Sequence, residues 1–373
     1  MQSTSPTMHV LLLLLLWLAG GCASDRPPSG GAADTTPLRV ISSDPEPSAL
    51  HVATNTIRLT FNHYVTARQL IKALHFTPSI EGYDIAIDAK NMVVRLDWPL
   101  QQNKTWILTL DKNLTDNHGR TLPAPFSMAF STGTVIDSGT INGKVINRDC
   151  SPATNALILA FAERPETPGN GKLLTGEPDY FIQADASGVF SFRHLHAGSY
   201  RIIAVNDRNN DLRYNAGEEI GLTSSALVHS GASDLLFRLS GKDRTRGSQS
   251  RPVGNAPATT ETGSISGTCV TSGQYVIIEA SGSSESYSTT ASRDRKGTLH
   301  YSFAELPAGS YIVSAHAPYG NKKPDPKQQW NPGSIDPFQP AEPFGFYPEK
   351  VTVRARWTTR NIDITISRPP GKP

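Results

Sequence analysis

The chain is poor in cysteine, in net charge and in long apolar runs. Three cysteines in 373 residues exclude a small disulfide-dense scaffold. A formal net charge of +2 gives no strong pull on nucleic acid or on an anionic membrane, so no nucleic-acid partner is expected. After Leu18 no apolar stretch approaches the roughly 20 residues that crossing a bilayer takes. Long patterns with helical period are almost absent, which excludes a helical bundle. Catalytic signatures are missing too. There is no His-Glu-x-x-His, no paired cysteine set for zinc, no Gly-x-Ser-x-Gly elbow and no P-loop. Carboxylates are plentiful, but the sequence alone places no two across a cleft. The expectation is a protein that is not an enzyme.

What is present begins with six consecutive leucines, Leu11 to Leu16, extended by Trp17-Leu18. This run is too short to span a bilayer comfortably and fits the apolar region of a secretory signal peptide. It ends in Ala19-Gly20-Gly21-Cys22. Small residues followed by cysteine resemble the lipobox of a bacterial lipoprotein. Two features depart from that pattern: Ala19 stands where Leu is typical, and no Lys or Arg precedes the leucines. The resemblance implies a leader over 1–21, cleavage before Cys22 and diacylglycerol on its sulfur. A tether follows over 22–36, polar and rich in Gly, Ser and Pro. Two or more acyl chains hold a protein stably on a membrane, so the membrane is the first expected partner. The enterobacterial sorting rule, with no Asp directly after the cysteine, favours the outer membrane.

Beyond the tether, short Val/Ile/Tyr/Thr-rich runs recur between turn residues, the pattern of all-β sandwiches. Thr56 to Phe61 alternates apolar and polar residues, as a half-buried strand does. Met92 to Leu96, Trp106 to Leu110 and Phe126 to Phe130 read as further strands, and Ala67 to Leu74 as a helical turn. Phe61-Asn62-His63-Tyr64-Val65, Phe76-Thr77-Pro78, Thr105 to Leu110, Leu114 to Gly119 and Phe130 to Gly133 occur in the order of the bacterial SbsA-type Ig-like domain. The segment 37–135 resembles that family, a β-sandwich of S-layer and envelope proteins that usually acts as a spacer.

Two later segments, 138–240 and 262–367, repeat one another. Gly139-Thr140-Ile141-Asn142-Gly143 matches Gly263-Ser264-Ile265-Ser266-Gly267. Leu195-His196-Ala197-Gly198-Ser199-Tyr200 matches Leu306-Pro307-Ala308-Gly309-Ser310-Tyr311. Each leads into a strand, and the shared glycine is expected to supply a left-handed turn before it. The signature resembles the carboxypeptidase regulatory-like, or prealbumin-like, domain. That implies two small Greek-key sandwiches without activity. The expected fold is therefore all-β: one Ig-like and two prealbumin-like sandwiches in tandem. Gly241 to Glu261 reads as a solvated linker and 368–373 as a tail. Cys150 and Cys269 fall in different sandwiches and are expected as free thiols.

The segment with the most evident chemistry is Asp207 to Glu219. Asp207, Asn209 and Asp211 alternate, the Arg213 carbonyl takes the seventh place and Glu218 the twelfth. Hard oxygen donors at that spacing can wrap Ca²⁺. The EF-hand pattern needs Gly at the sixth position, and Leu212 stands there. The other reading is an Asx-rich loop that caps its own backbone. The copy lacks the acids, with Pro318 and Lys322 opposite Asp207 and Asp211. So the fold does not require a metal. His194 and His196 fall at a turn and read as exposed.

Gln328 to Tyr347 interleaves prolines with Trp330, Phe338, Phe344, Phe346 and Tyr347. Long loops are often functional, and aromatics stiffened by proline lose little entropy on docking a partner. The alternative is a loop folded back over its own sandwich. Trp98, Trp106, Trp330 and Trp357 would offer a sugar-stacking surface if exposed, and are otherwise strand anchors. These readings lead to a non-enzymatic envelope lipoprotein that spaces and presents interaction modules to an envelope protein or polysaccharide. The alternative is a surface glycan binder, with calcium as the cofactor that would assist it.

Overall fold

Strands dominate because β-branched and aromatic residues recur at period two between turn formers. In a computed structural model of the chain, residues 34–80, 82–111, 113–163, 177–209, 211–240, 251–252, 261–320 and 323–366 are described. The leader, Cys22, most of the tether and the tail lie outside them. Residues 34–37 have no regular structure, with Asp34 accepting from the Thr36 N–H and hydroxyl. From Leu38 onward the chain forms one unit. Among the described residues no helix is long and apolar enough to cross a membrane.

The first sandwich pairs two sheets. One holds β1 (Val40–Asp44), β2 (Thr56–Phe61), β4 (Tyr83–Asp88) and β5 (Asn91–Leu96) in the order β1-β2-β5-β4. The other holds β3 (Leu74–Thr77), β6 (Thr105–Leu110) and β7 (Phe126–Ser131) in the order β3-β6-β7. The expected helical turn is α1 (Ala67–Ala73), started by a capping box in which Thr66 and Gln69 satisfy each other's backbone N–H. Leu74, expected at its end, opens β3 instead. Ile57, Leu59, Phe61, Met92, Val94, Leu108 and Phe130 fill the space between the sheets.

The second sandwich sets β8 (Gly139–Ile146), β11 (Val189–Leu195) and β15 (Leu235–Arg238), ordered β11-β8-β15, against a second sheet. That sheet contains β9 (Leu157–Ala162), β10 (Tyr180–Gln183), β12 (Ser199–Val205) and β13 (Ile220–Leu222), with β14 (Val228–His229) also on β12.

The third repeats this plan. β17 (Thr262–Val270) lies between β21 (Leu299–Pro307) and two short parallel strands, β27 (Thr358–Thr359) and β28 (Ile364–Thr365), with β20 (Ser292–Arg293) outside β21. Facing it are β18 (Ile277–Ser281), β19 (Ser286–Thr290), β22 (Gly309–His316), β25 (Phe344–Phe346) and β26 (Val351–Val353). β16 (Arg251–Pro252), inside the segment read as solvated linker, pairs in parallel with the edge strand β19. An edge strand leaves one row of backbone groups unpaired, and a passing extended segment satisfies some of them. A small hairpin, β23 (Ser334–Ile335) and β24 (Phe338–Gln339), precedes β25.

The duplication extends to atomic detail. Tyr200 donates its hydroxyl to the His196 carbonyl at 2.6 Å, and Tyr311 donates to the Pro307 carbonyl at 2.8 Å. Edge-on partners Tyr180 and Tyr287 lie 5.8 and 6.3 Å away, centroid to centroid. β15 runs parallel to β8, and β27 and β28 run parallel to β17. Gly143 and Gly267 belong to this arrangement: a Cβ there would strike the carbonyl oxygens of Leu235 and Ile362. The expected left-handed turn is displaced. Positive φ falls on His194 and Glu305, both at 59°, and not on Gly198 or Gly309. The strand pairing slips at this corner in both copies, between Phe192 and Leu195 and opposite Leu306. A bulge of this kind puts its unpaired residue in a special conformation.

Candidate functional site

The Asp207–Glu218 segment joins β12 to β13 and is closed by its own hydrogen bonds. Asp207 accepts from the N–H groups of Asp211 (3.3 Å) and Leu212 (3.0 Å). Asp211 accepts from the Arg213 N–H (3.0 Å) and from the amides of Asn215 (2.7 Å) and Asn209 (3.0 Å). The Asn215 bond is the main reason its carboxyl is held below the ordinary value. Glu218 accepts from the N–H groups of Arg208 (3.1 Å) and Asn215 (2.8 Å). Arg213 reaches out to Glu177 at 2.9 Å. Leu212, at the place an EF-hand gives to glycine, takes a left-handed φ of 60°. So the sharp turn forms without glycine. Among the described residues no three His, Cys, Asp or Glu side chains gather closely enough to hold a metal ion.

The Pro/aromatic segment crosses from the third sandwich to the second. β9 and β12 are buried on both faces. Ile158, Ala160, Ile202 and Ala204 point into their own sandwich. Leu157, Leu159, Phe161, Ile203 and Val205 point the other way, into an apolar cluster with Leu222 and Ala341. Half-buried Trp330, Ile335 and Phe338 pack onto that cluster, as do Leu212 and Tyr214 of the Asx loop. Residues 323–343, with Tyr319, thus form a strap over the second sandwich's sheet. A backbone bond pins it, the Ala341 N–H donating to the Thr223 carbonyl at 3.0 Å; the Tyr319 hydroxyl donates to the Ala341 carbonyl at 2.6 Å and sits 3.1 Å from that of Ser224.

Two arginines of the second sandwich stack on aromatics of the strap and of β25. Arg201 lies 4.6 Å from the Phe338 ring centre. Arg238 lies 4.6 Å from Phe344 and 5.2 Å from Trp330. Trp330 donates its indole N–H to the Glu342 carbonyl at 2.9 Å. The Glu342 carboxylate accepts from the Asn331 N–H at 3.0 Å, and burial raises its pKa. Of the five aromatics singled out in the sequence, Trp330, Phe338 and Phe344 meet at this junction. Phe346 stacks beside Phe344, while Tyr347 packs against the third sandwich's own core.

Sequence reasoning missed the receiving half of the junction: Leu157, Leu159, Phe161, Ile203, Val205, Arg201 and Arg238. The signal was the unbroken apolar run Leu157-Ile158-Leu159-Ala160-Phe161-Ala162. A half-buried antiparallel strand alternates, and only double burial favours such a run.

The remaining candidates separate. His194 and His196 both turn to Asp137, whose backbone oxygen and carboxylate lie 3.1 Å from their Nδ1 atoms. Cys150 and Cys269 are free thiols, and burial pushes them up to about 11 and about 12. Trp98 and Trp357 are exposed, whereas Trp106 is buried.

Structural likenesses are distant. PcoC, a methionine-rich copper resistance protein from Escherichia coli, is 18% identical, with 26% of this chain and 97% of that one covered at a TM-score of 0.21. Native alpha-2-macroglobulin from Escherichia coli (domains MG0-NIE-MG1) is 12% identical over 76% of this chain and 94% of that one, TM-score 0.21. The N-terminal part of the bacterial S-layer protein SbsC is 12% identical over 54% and 42%, TM-score 0.21. At these scores none carries an argument about this chain. No curated protein matches it. A family description does match one part: residues 34–132 are similar to the bacterial Ig-like domain, which makes the first sandwich Ig-like.

Proposed function

We propose that the protein is a non-enzymatic envelope lipoprotein, held by lipid on Cys22 at the outer membrane, that carries interaction modules outward on an Ig-like spacer. The second and third sandwiches are read as prealbumin-like modules. The observation that carries this reading is the strap. It joins those modules through a doubly buried sheet, giving an arm that transmits position instead of hinging freely. The bacterial Ig-like match of residues 34–132 supports a surface setting. The test is in-cell crosslinking of the tagged full-length chain, with mass spectrometry of what co-purifies and labelling by a clickable fatty acid. A reproducible envelope protein and label lost in Cys22→Ala are expected. An unlabelled, uncrosslinked protein would refute the reading.

The exposure of Trp98 and Trp357, 74% and 67%, favours a second reading. In it the arm binds polysaccharide by ring stacking, with calcium assisting at Asp207, Asn209, Asp211, Arg213 and Glu218. Retention on polysaccharide gels, lost in Trp357→Ala, discriminates it from the first.

A further inference from the structure

The outward face of the third sandwich's sheet is polar, yet it is buried. Cross-strand register puts Ser288, Glu279 and Ser314 in one row, with Thr290, Ile277, His316 and Phe344 in the next. Ser288, Ser314 and His316 are 3, 5 and 3% exposed. Sheet faces that look onto water are polar because water satisfies them; here water is largely excluded. His316 has one ring contact, with the Gln328 backbone, and its buried Nε2 has no partner among the described residues. Ser288 Oγ and Arg238 Nε are likewise buried without partners. An unpaired buried polar atom carries a desolvation cost, so this face is held closed by what surrounds it, including the strap and the second sandwich's Arg238.

Arg238, from β15 of the second sandwich, lies 4.6 Å from the ring centre of Phe344, the cross-strand partner of His316, and its charge acts on the imidazole. We propose that His316 and Arg238 make the join between the second and third sandwiches an acid-opened latch. A proton taken up on His316 places a second cation beside Arg238 in a water-poor interface, and the strap lifts from the sheet of β9 and β12. Opening hydrates both cations at once.

Among the described residues the other ionisable groups at this join include Glu279 on β18, Cys150, Asp234 and Arg201 of the second sandwich, and Tyr319 and Glu342 of the strap. The Cys150 thiol, pushed up to about 11, stays neutral throughout the acid range. Burial raises the Glu342 carboxyl, so its proton uptake favours the closed state on acidification and works against His316. The His316 imidazole is brought down to about 4 by burial first and by Arg238 second. Its ordinary value is 6.5, so the open form binds the proton more tightly. The opening constant therefore rises by about tenfold per pH unit below 6.5 and levels off near 4.

Hydrogen exchange with mass spectrometry on the full-length chain, corrected for intrinsic rates, tests this between pH 7.5 and 4.5. Protection at residues 157–162, 201–205 and 330–344 is expected to fall roughly a hundredfold across that range, while β8 and β17 stay protected. His316→Gln, or His316→Asn if the first variant folds poorly, is expected to keep junction protection flat with pH. Glu342→Gln, which keeps the neutral form that the closed state favours, should be better protected than wild type at pH 7.5 and lose that protection more steeply on acidification. Unchanged junction protection in the wild type would overturn the latch. So would an equal loss in the His316 variants, or loss spread equally over β8 and β17, which would be acid unfolding.

Discussion

Leu159 sits in the middle of β9 with its side chain turned away from its own sandwich, and it is 2% exposed. Nothing in the second sandwich requires that burial. In an isolated two-sheet module an outward strand residue faces water, and replacing it shifts stability by less than about 0.5 kcal/mol. Under the strap, Leu159→Ala removes buried methylenes and leaves a cavity beside Phe338 and Ala341, which costs about 2–5 kcal/mol. The two situations differ by several-fold, so one measurement separates them. Guanidinium unfolding of the full chain, followed by circular dichroism and by indole emission, gives the loss. Its expected course is a destabilised junction and early loss of the Trp330 environment. A three-domain chain need not unfold in two states, so the comparison uses Ile158→Ala as an internal standard. Ile158 is fully buried, points into the second sandwich and does not touch the strap. Both variants should cost comparable energy, but only Leu159→Ala should raise exchange at residues 330–344. A cost below about 1 kcal/mol for Leu159→Ala would refute double burial.

Three further outcomes follow from the same contacts. Arg238→Lys should weaken the junction nearly as much as Arg238→Ala, by about 1–2 kcal/mol, because a planar guanidinium stacked on Phe344 and Trp330 is not replaced by a point charge; exchange protection at 330–344 reads it. Tyr200→Phe and Tyr311→Phe each delete one hydroxyl-to-carbonyl bond at the corresponding corner, so each should cost about 1 kcal/mol in thermal unfolding, and the double variant their sum. Asp207→Ala strips the acceptor from the N–H groups of Asp211 and Leu212 and should cost about 1–2 kcal/mol in chelator as well as in calcium; a cost seen only in calcium would show that the ion and not the backbone is the partner that matters.

The sandwich class was legible because its signals are local. Alternation in Thr56 to Phe61 predicts a strand with one wet face, and Ile57, Leu59 and Phe61 are indeed the buried residues there. The repeat was legible through Gly143 and Gly267, whose missing side chains admit a neighbouring carbonyl, and through Tyr200 and Tyr311, which lock the same corner. The position of the left-handed residue was not legible. It depends on where a bulge slips the pairing, and His194 and Glu305 share no residue type that marks them. The strap's destination was legible only in part. Its aromatics and prolines were conspicuous at 328–347, but the surface that receives them is written 170 residues earlier as a failure to alternate.

The two copies show how one loop position acquires two uses. After β12 the chain carries Asp207, Asn209 and Asp211, which accept from nearby backbone and amide N–H groups, and the loop folds on itself. After β22 that alternating acidic set is missing and longer chain is present; Asp325 and Glu342 accept from the Lys327 and Asn331 N–H groups within it, and Trp330, Phe338 and Ala341 reach apolar surface of the second sandwich. The receiving sheet changed in step. Leu159 and Ile203 face outward on the second sandwich, whereas the corresponding third-sandwich positions carry Glu279 and Ser314. An apolar outward face without a strap would expose a continuous patch prone to association, and a strap without that face would have nothing to bury. Neither change is stabilising alone. The coupling therefore predicts that a strap deletion, Pro332 to Pro343, leaves the third sandwich folded but makes the chain self-associate through the uncovered second sandwich. Light scattering of that deletion at rising concentration measures it, and a strictly monomeric product would break the argument.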